Sequence, residues 1–357
     1  MFEEQNSGTK AIAESHRFDT VRLEAYLRSK LPGFAGPISV EQFKGGQSNP
    51  TYKLTTPQHT YVMRAKPGPA AKLLPSAHAI EREFRALSAL HGSAVPVARP
   101  LLLCEDEDII GRAFYLMDMV QGRVLWDPTL PGFSKYERAA IYDEMNRVLA
   151  ALHTVDFAAL GLVGYGKPGN YFARQIERWS KQYRASETEP IEAMDQLIAW
   201  LPRNLPADDG LSSIVHGDFR IDNLIFHPTQ PKALAVLDWE LSTLGHPLAD
   251  FSYHCMAWHL PRTFRGMAGL DLAALGIPTE RAYIEKYCER TEFEIKGNWN
   301  FYLAFNLFRL AGINQGVAKR ATNGTASSAL AQQVGNTTRP LAEMAWSYAE
   351  KVIRGSS

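Results

Sequence analysis

The stretch His216-Gly217-Asp218-Phe219-Arg220-Ile221-Asp222-Asn223 sets an aspartate five residues before an asparagine, and another aspartate follows in Val236-Leu237-Asp238-Trp239-Glu240. These residue types suit phosphoryl transfer. A short carboxylate such as Asp218 can accept the proton of an attacking hydroxyl, while Asn223 and Asp238 offer the hard oxygens that magnesium prefers when it neutralises phosphate charge. His216 reads as a buried, hydrogen-bonding support for the loop.

The elements around these residues must bring them together. Ser213 to Val215 reads as a strand entering the first motif, Leu224 to His227 as the next strand and Ala233 to Leu237 as its partner across Pro228-Thr229-Gln230-Pro231. In such a hairpin Asn223 and Asp238 share one open end, roughly 5 Å apart across the ladder, so that one metal ion could touch both. The spacing also matches the catalytic loop His-x-Asp-x-x-x-x-Asn of protein kinases.

Further upstream, Phe43-Lys44-Gly45-Gly46-Gln47-Ser48-Asn49-Pro50-Thr51-Tyr52 reads as strand, glycine turn, strand. Adjacent glycines let backbone N–H groups approach phosphate oxygens closely. Tyr61-Val62-Met63-Arg64 is a strand ending in a cation, where protein kinases carry Val-Ala-Ile-Lys. A helix then shows Ile80, Phe84, Leu87 and Leu90 on one face with Glu83 at its edge, which makes Glu83 the expected partner of Arg64, and Lys66 the fallback cation. Phe114-Tyr115-Leu116-Met117-Asp118-Met119-Val120-Gln121-Gly122 reads as an apolar strand passing into a connector, with Met117 and Met119 as an apolar floor for adenine.

In this order the motifs resemble the aminoglycoside phosphotransferase and choline kinase superfamily, from about Ile38 onward, and are most similar to the branch also found fused to acyl-CoA dehydrogenases. The resemblance implies an α+β fold, bilobal and protein-kinase-like, with a small antiparallel-sheet N-lobe carrying one main helix and a mostly helical C-lobe. A weakly ordered lead over 1–16, an N-lobe over 17–117 and a C-lobe over 118–357 are the expected divisions. Residue by residue, it implies Asp218 as base, Asn223 and Asp238 as magnesium ligands, and Ser48 with Gly45 and Gly46 as the phosphate loop. Arg64 would be the phosphate cation, Glu83 its partner, and Asp250 of Pro247-Leu248-Ala249-Asp250 a brace for the catalytic loop. ATP and Mg²⁺ are the implied cofactors. Trp239-Glu240 stands where protein kinases have Phe-Gly, which suits a small-molecule kinase without a mobile activation segment.

Composition agrees with a soluble enzyme. The 357 residues are 45% hydrophobic, with 38 basic and 38 acidic side chains, so neither nucleic acid nor an anionic membrane is expected as a partner. Cys104, Cys255 and Cys288 are isolated thiols, which points to a reducing cytoplasm. No stretch reaches the length of a membrane span, since Asn306 and Arg309 interrupt the apolar run from Phe301 to Ile313. The partner is expected to be a small hydroxylated substrate. Arg174, Arg178, Lys181 and Arg184 on one helix, and Arg309, Lys319 and Arg320 on a later one, favour an anionic acceptor, a hydroxyacyl-CoA or hydroxy acid, with Arg309 and Arg178 as its contacts. The alternatives are an aminoglycoside O-phosphotransferase, a nucleotide-binding pseudokinase in which Arg64 replaces lysine, and a metal-dependent hydrolase using His216, Asp218 and Asp238 with His227 or His246.

Overall fold

Apolar residues recur at alternate positions through Tyr52, Leu54, Tyr61, Met63, Ala65, Phe114 and Leu116, the period that gives a strand one buried face. In the computed structural model, which describes residues 7–45, 49–67, 79–322 and 334–355, these side chains form one core with Leu23 and Leu27. They lie in an antiparallel sheet built from β1 (Thr9–Lys10), β2 (Ser39–Phe43), β3 (Thr51–Thr55), β4 (Thr60–Ala65), β5 (Pro100–Cys104) and β6 (Phe114–Asp118), in the order β1-β2-β3-β4-β6-β5. Leu23 and Leu27 come from helix α1 (Thr20–Lys30), capped by Asp19, which accepts the Arg22 amide at 2.9 Å. Thr9 and Lys10, within the lead expected to be weakly ordered, pair with Phe43 and Gln42.

Alternation turns Arg64 and Tyr115 to the opposite face of the sheet, where they are register partners between β4 and β6. Helix α2 (Ile80–Leu90) meets them there, with Ile80, Glu83, Ala86, Leu87 and Leu90 buried.

The chain forms two compact units that interleave along the sequence. The first comprises Met1–Trp126, Ala158–Leu162 and Ile221–Ser242; the second comprises Asp127–Phe157, Val163–Arg220 and Thr243–Ser357. From the sequence, one cut after residue 117 is expected. The structure instead returns the hairpin of Leu224–Phe226 and Ala233–Val236 to the first unit, where Arg123–Val124 pairs with it and the Val236 amide donates to Pro96 O at 2.8 Å. Both hairpin strands stop one residue earlier than the sequence suggests.

The second unit is mainly helical: α3 (Lys135–Thr154), α4 (Tyr171–Ser186), α5 (Glu192–Trp200), α6 (Pro247–His259), α7 (Leu272–Leu275), α8 (Glu280–Thr291), α9 (Trp299–Thr322) and α10 (Thr338–Ile353). Ser213–Val215 pairs antiparallel with Thr243–Gly245. Helix α6 is buried over nearly its whole length, and Phe251 on it stacks on Tyr287 of α8 with ring centroids 3.8 Å apart. The last helix is α10, and residues 323–333 lie outside the described residues. Among the described residues no helix is long and apolar enough to cross a membrane.

Gly122 shows how tightly the connector lies on the hairpin. A Cβ added there would sit 2.3 Å from the Phe226 carbonyl oxygen, a backbone atom that cannot move aside alone. Gly122→Ala should therefore cost roughly 1 to 3 kcal/mol, in the range of overpacked sites. Gly164→Ala, at a position with nothing within 4 Å, should leave the urea unfolding midpoint unchanged, and equal midpoints for the two variants would contradict the crowding.

Candidate active site

Glu83 is 1% exposed at its side chain and stands in the apolar face of α2, where an unpaired carboxylate would be very costly. Three side chains answer it. Oε2 lies 2.9 Å from Arg64 Nε and accepts the Tyr115 hydroxyl at 3.0 Å, while Oε1 accepts Asn49 Nδ2 at 2.8 Å. The Nε contact is ionic, because its N–H is not aimed to form a hydrogen bond. Arg64 then reaches further, donating from Nη2 to Asp238 Oδ1 at 2.7 Å and lying 3.4 Å from Glu240 Oε2. Burial works against the charge on Arg64, but Glu83 and Asp238 outweigh it and hold the guanidinium more firmly ionised than an ordinary arginine. Burial pushes the Glu83 carboxyl upward, against the pull of Arg64. Lys66, the fallback cation, pairs instead with Glu81 at 3.2 Å.

Asp238 has φ 65° and ψ 61°, the left-handed region that Asp tolerates better than most residues. Val236 opposes Leu224, and the Leu237 amide donates to Asn223 O at 2.8 Å. Asn223 thus faces Leu237, and Asp238 stands one residue beyond, at the same end of the hairpin; direct opposition of the two, as expected from the sequence, is off by one residue. Their chemistry fits magnesium, since a carboxylate and a side-chain amide both present oxygen donors. The Asp238 side chain is 36% exposed, and among the described residues only its Oδ1 is hydrogen-bonded.

Gly45 follows β2 beside Lys44, whose amide donates to Gly8 O at 3.1 Å. Gly46 and Ser48 lie outside the described residues. Met117 is half-buried in β6 opposite Val62, and the Met119 amide donates to Thr60 O at 3.2 Å.

In the second unit a buried carboxylate organises the loop from His216 to Arg220. Asp250, on α6, accepts the amides of His216 at 2.6 Å and Gly217 at 2.8 Å, with His153 Nε2 at 3.2 Å. Burial opposes its ionisation, yet His153 and the loop amide hold its carboxyl below the usual aspartate value. Gly217 has φ 84°, a conformation glycine adopts at little cost, so its N–H serves Asp250 while its carbonyl accepts Arg309 Nη2 at 2.6 Å. The Asp218 amide donates to Nδ1 of the fully buried His216 at 3.2 Å. The Asp218 side chain is held in turn. Its Oδ1 accepts the Tyr253 hydroxyl at 2.5 Å and lies 3.0 Å from Arg220 Nε, and Arg220 Nη2 donates to Oδ2 at 3.3 Å. Tyr253 follows Asp250 by three residues, so α6 presents both on one face.

Several residues assigned to the acceptor have partners inside the unit. Arg309, read from sequence as a buried charge in need of an anionic or hydrogen-bonding partner, is answered by Gly217 O and lies over the rings of Tyr253 and Trp179, at 5.1 and 5.8 Å. Arg174 donates to the carbonyls of Lys167 and Gly169, Lys181 pairs with Glu177 at 2.6 Å, and Arg184 pairs with Asp195 at 2.6 Å. Arg178 is exposed and stacks over Trp179 at 5.4 Å. His227 Nδ1 accepts amides of its own turn, His246 pairs with Asp209 at 3.1 Å, and among the described residues no group of three or more His, Cys, Asp or Glu side chains could hold a metal ion. Sequence reasoning missed Asn49, Tyr115, Tyr253 and Arg220. The last two were visible as spacing, three residues after Asp250 and two after Asp218.

A profile of the phosphotransferase enzyme family matches residues 39–285. The chain belongs to that family. This phosphotransferase is 64% identical to a solved Ralstonia eutropha protein provisionally described as an aminoglycoside phosphotransferase, with a TM-score of 0.87 over 94% of this chain and 99% of that one. A solved choline kinase from Cryptosporidium parvum shares the fold at 13% identity, with a TM-score of 0.64 over 94% of this chain and 97% of that one. The α+β, kinase-like fold is therefore shown. Among curated proteins it is 49% identical to mouse acyl-CoA dehydrogenase family member 10 over 96% of its length, and 40% identical to a probable acyl-CoA dehydrogenase of Arabidopsis thaliana over 94%. It spans 32% of the first and 43% of the second.

Asp250 should be the least replaceable carboxylate of the second unit. Asp250→Ala leaves two loop amides without their acceptor and should cost roughly 3 to 5 kcal/mol, as for a broken buried pair. Because its folded value is depressed, its contribution is complete above the unfolded aspartate value of about 3.9 and is lost as pH falls through the folded value. Asp250→Asn should flatten that acid dependence in urea titrations, and an unchanged slope would rule out the assignment.

Proposed function

We propose that this phosphotransferase moves the γ-phosphate of ATP to a hydroxyl of a small anionic acceptor, a hydroxyacyl-CoA or a hydroxy acid. The observation that carries the reading is Arg64, buried, paired with Glu83 and touching Asp238. It sets the cation that would meet phosphate against the carboxylate that would meet metal. A guanidinium can hold Glu83 and still offer N–H groups to phosphate, so arginine keeps the charge logic of the usual lysine with a different geometry.

Asp218 accepts the proton of the attacking hydroxyl, with Tyr253 fixing its carboxylate from one side. Asn223 and Asp238 would hold magnesium, Gly45, Gly46 and Ser48 the phosphates, and Met117 and Met119 the adenine. Magnesium, when bound, neutralises charge on the transferring phosphates. Solved members of the fold include complexes with GDP and with ADP, which supports a nucleotide donor here.

The acceptor's charge is read from Arg178, exposed on α4 and stacked over Trp179. Arg220 adds a guanidinium beside Asp218. A polycationic aminoglycoside would meet repulsion there. The acyl-CoA dehydrogenase names of the curated relatives support an acyl thioester setting. The provisional name of the 64% identical structure favours an aminoglycoside as the second reading.

Asp218→Asn should lower turnover by roughly 10² to 10⁴ while nucleotide binding survives, as for loss of a general base. Stopped-time assays of ATP consumption with a 4-hydroxyacyl-CoA would detect it, and near-normal turnover would reject Asp218 as the base. Asp238→Ala should abolish magnesium-dependent binding of a nonhydrolysable ATP analogue more completely than Asn223→Ala, since the first variant loses a charged ligand. Titrating magnesium at fixed analogue concentration would distinguish them; identical, metal-independent affinities in both variants and the wild type would remove the pair from the metal site.

A further inference from the structure

Phe219 is fully buried between His216 and His254, with ring centroids 6.0 and 5.4 Å away. Its neighbours Asp218 and Arg220 are therefore left together on the other side of the loop. The contacts are close: Nε to Oδ1 at 3.0 Å and Nη2 to Oδ2 at 3.3 Å, so one guanidinium covers both oxygens of the carboxylate. Tyr253 and Arg220, both on Asp218, differ in freedom. Tyr253 is buried, whereas the Arg220 side chain is 45% exposed. A half-exposed ion pair is weak and readily exchanged, while a phenol anchored in a packed helix stays in place. Two other arginines of the unit are engaged within it, Arg309 by Gly217 O and Arg174 by the carbonyls of Lys167 and Gly169.

We propose that Arg220 is the acceptor-specificity residue of this enzyme: it covers Asp218 at rest and exchanges that carboxylate for the anionic group of the acceptor, uncovering the base as the substrate arrives. The inference rests on the phosphotransfer reading above and adds a recognition element to it. An incoming carboxylate or phosphate offers the guanidinium the same bidentate partner that Asp218 provides. The exchange keeps one anion on Arg220 throughout, while Asp218 keeps the Tyr253 hydroxyl as a donor. A neutral acceptor offers no such exchange and must approach a base that remains covered. Specificity then comes from the cost of serving the wrong substrate.

Two substrate pairs separate charge from shape, and each keeps the same hydroxyl. 4-Hydroxypentanoate against 4-hydroxypentanamide tests a carboxylate, and 4-hydroxypentanoyl-CoA against 4-hydroxypentanoyl-pantetheine tests the phosphates of the thioester carrier. With magnesium and ATP, wild type should favour the anionic member of one pair by at least about tenfold in kcat/KM, a modest share of what a bidentate charged contact can supply. Arg220→Ala should reduce that preference to near unity, and Arg220→Lys should restore part of it. The pair that responds identifies the anion. Titration calorimetry of the same compounds, with magnesium and a nonhydrolysable ATP analogue present, gives a readout that needs no turnover. Equal losses for both members of each pair in Arg220→Ala, or unshifted affinities, would overturn the role of Arg220 alone. Failure of wild type to bind either anionic compound would overturn it together with the anionic acceptor class.

Discussion

A carboxylate cut off from water is stable only when donors surround it, and Glu83 and Asp250 impose that condition on their respective units. Around Glu83 the requirement is met by side chains from two strands and the segment after the glycine turn, namely Arg64, Tyr115 and Asn49. Around Asp250 it is met mainly by backbone, the amides of His216 and Gly217, with His153 behind. The difference suits the tasks. A side-chain cluster leaves Arg64 with N–H groups to aim outward, whereas a backbone cluster fixes the course of a loop.

Much of this was legible in the sequence because it depends on local periodicity. The alternation through Tyr61 to Arg64, the helical face around Glu83 and the loop from His216 to Asn223 are patterns a few residues long. Pairing of Arg64 with Glu83 could be anticipated since an apolar helix face with one acid demands a cation nearby. What stayed hidden depends on distant chain segments. Nothing in the neighbourhood of Arg309 shows that a glycine carbonyl at position 217 answers it. The return of Ile221–Ser242 to the first unit is likewise a property of tertiary packing and has no local signal. Residue offsets across the hairpin failed by one position because the ladder sets Val236 against Leu224, with a register shift between Ala233 and Ala235 that strand alternation cannot foresee.

Family membership and geometry constrain different parts of the enzyme. The family profile covers 39–285, the region that contains Arg64, Glu83, Asp218, Asn223, Asp238 and Asp250. Arg309 lies outside it, on α9, yet bonds the loop at Gly217. Support for the candidate base therefore comes partly from a helix beyond the span that the family profile matches.

Interleaving of the units has a consequence for how the chain can be made. The first unit is complete only after residue 242 has been synthesised, because the hairpin that bonds to Pro96 comes from beyond most of α3, α4 and α5. A nascent or truncated chain ending anywhere between 127 and 220 would present the sheet and α2 without that hairpin. Closing a contact across such a sequence separation is entropically slow. Neither unit is a continuous fragment, so any shortened gene that encodes the whole first unit also encodes parts of the second, and exposed apolar surface would persist on the ribosome until the second half of the chain emerges.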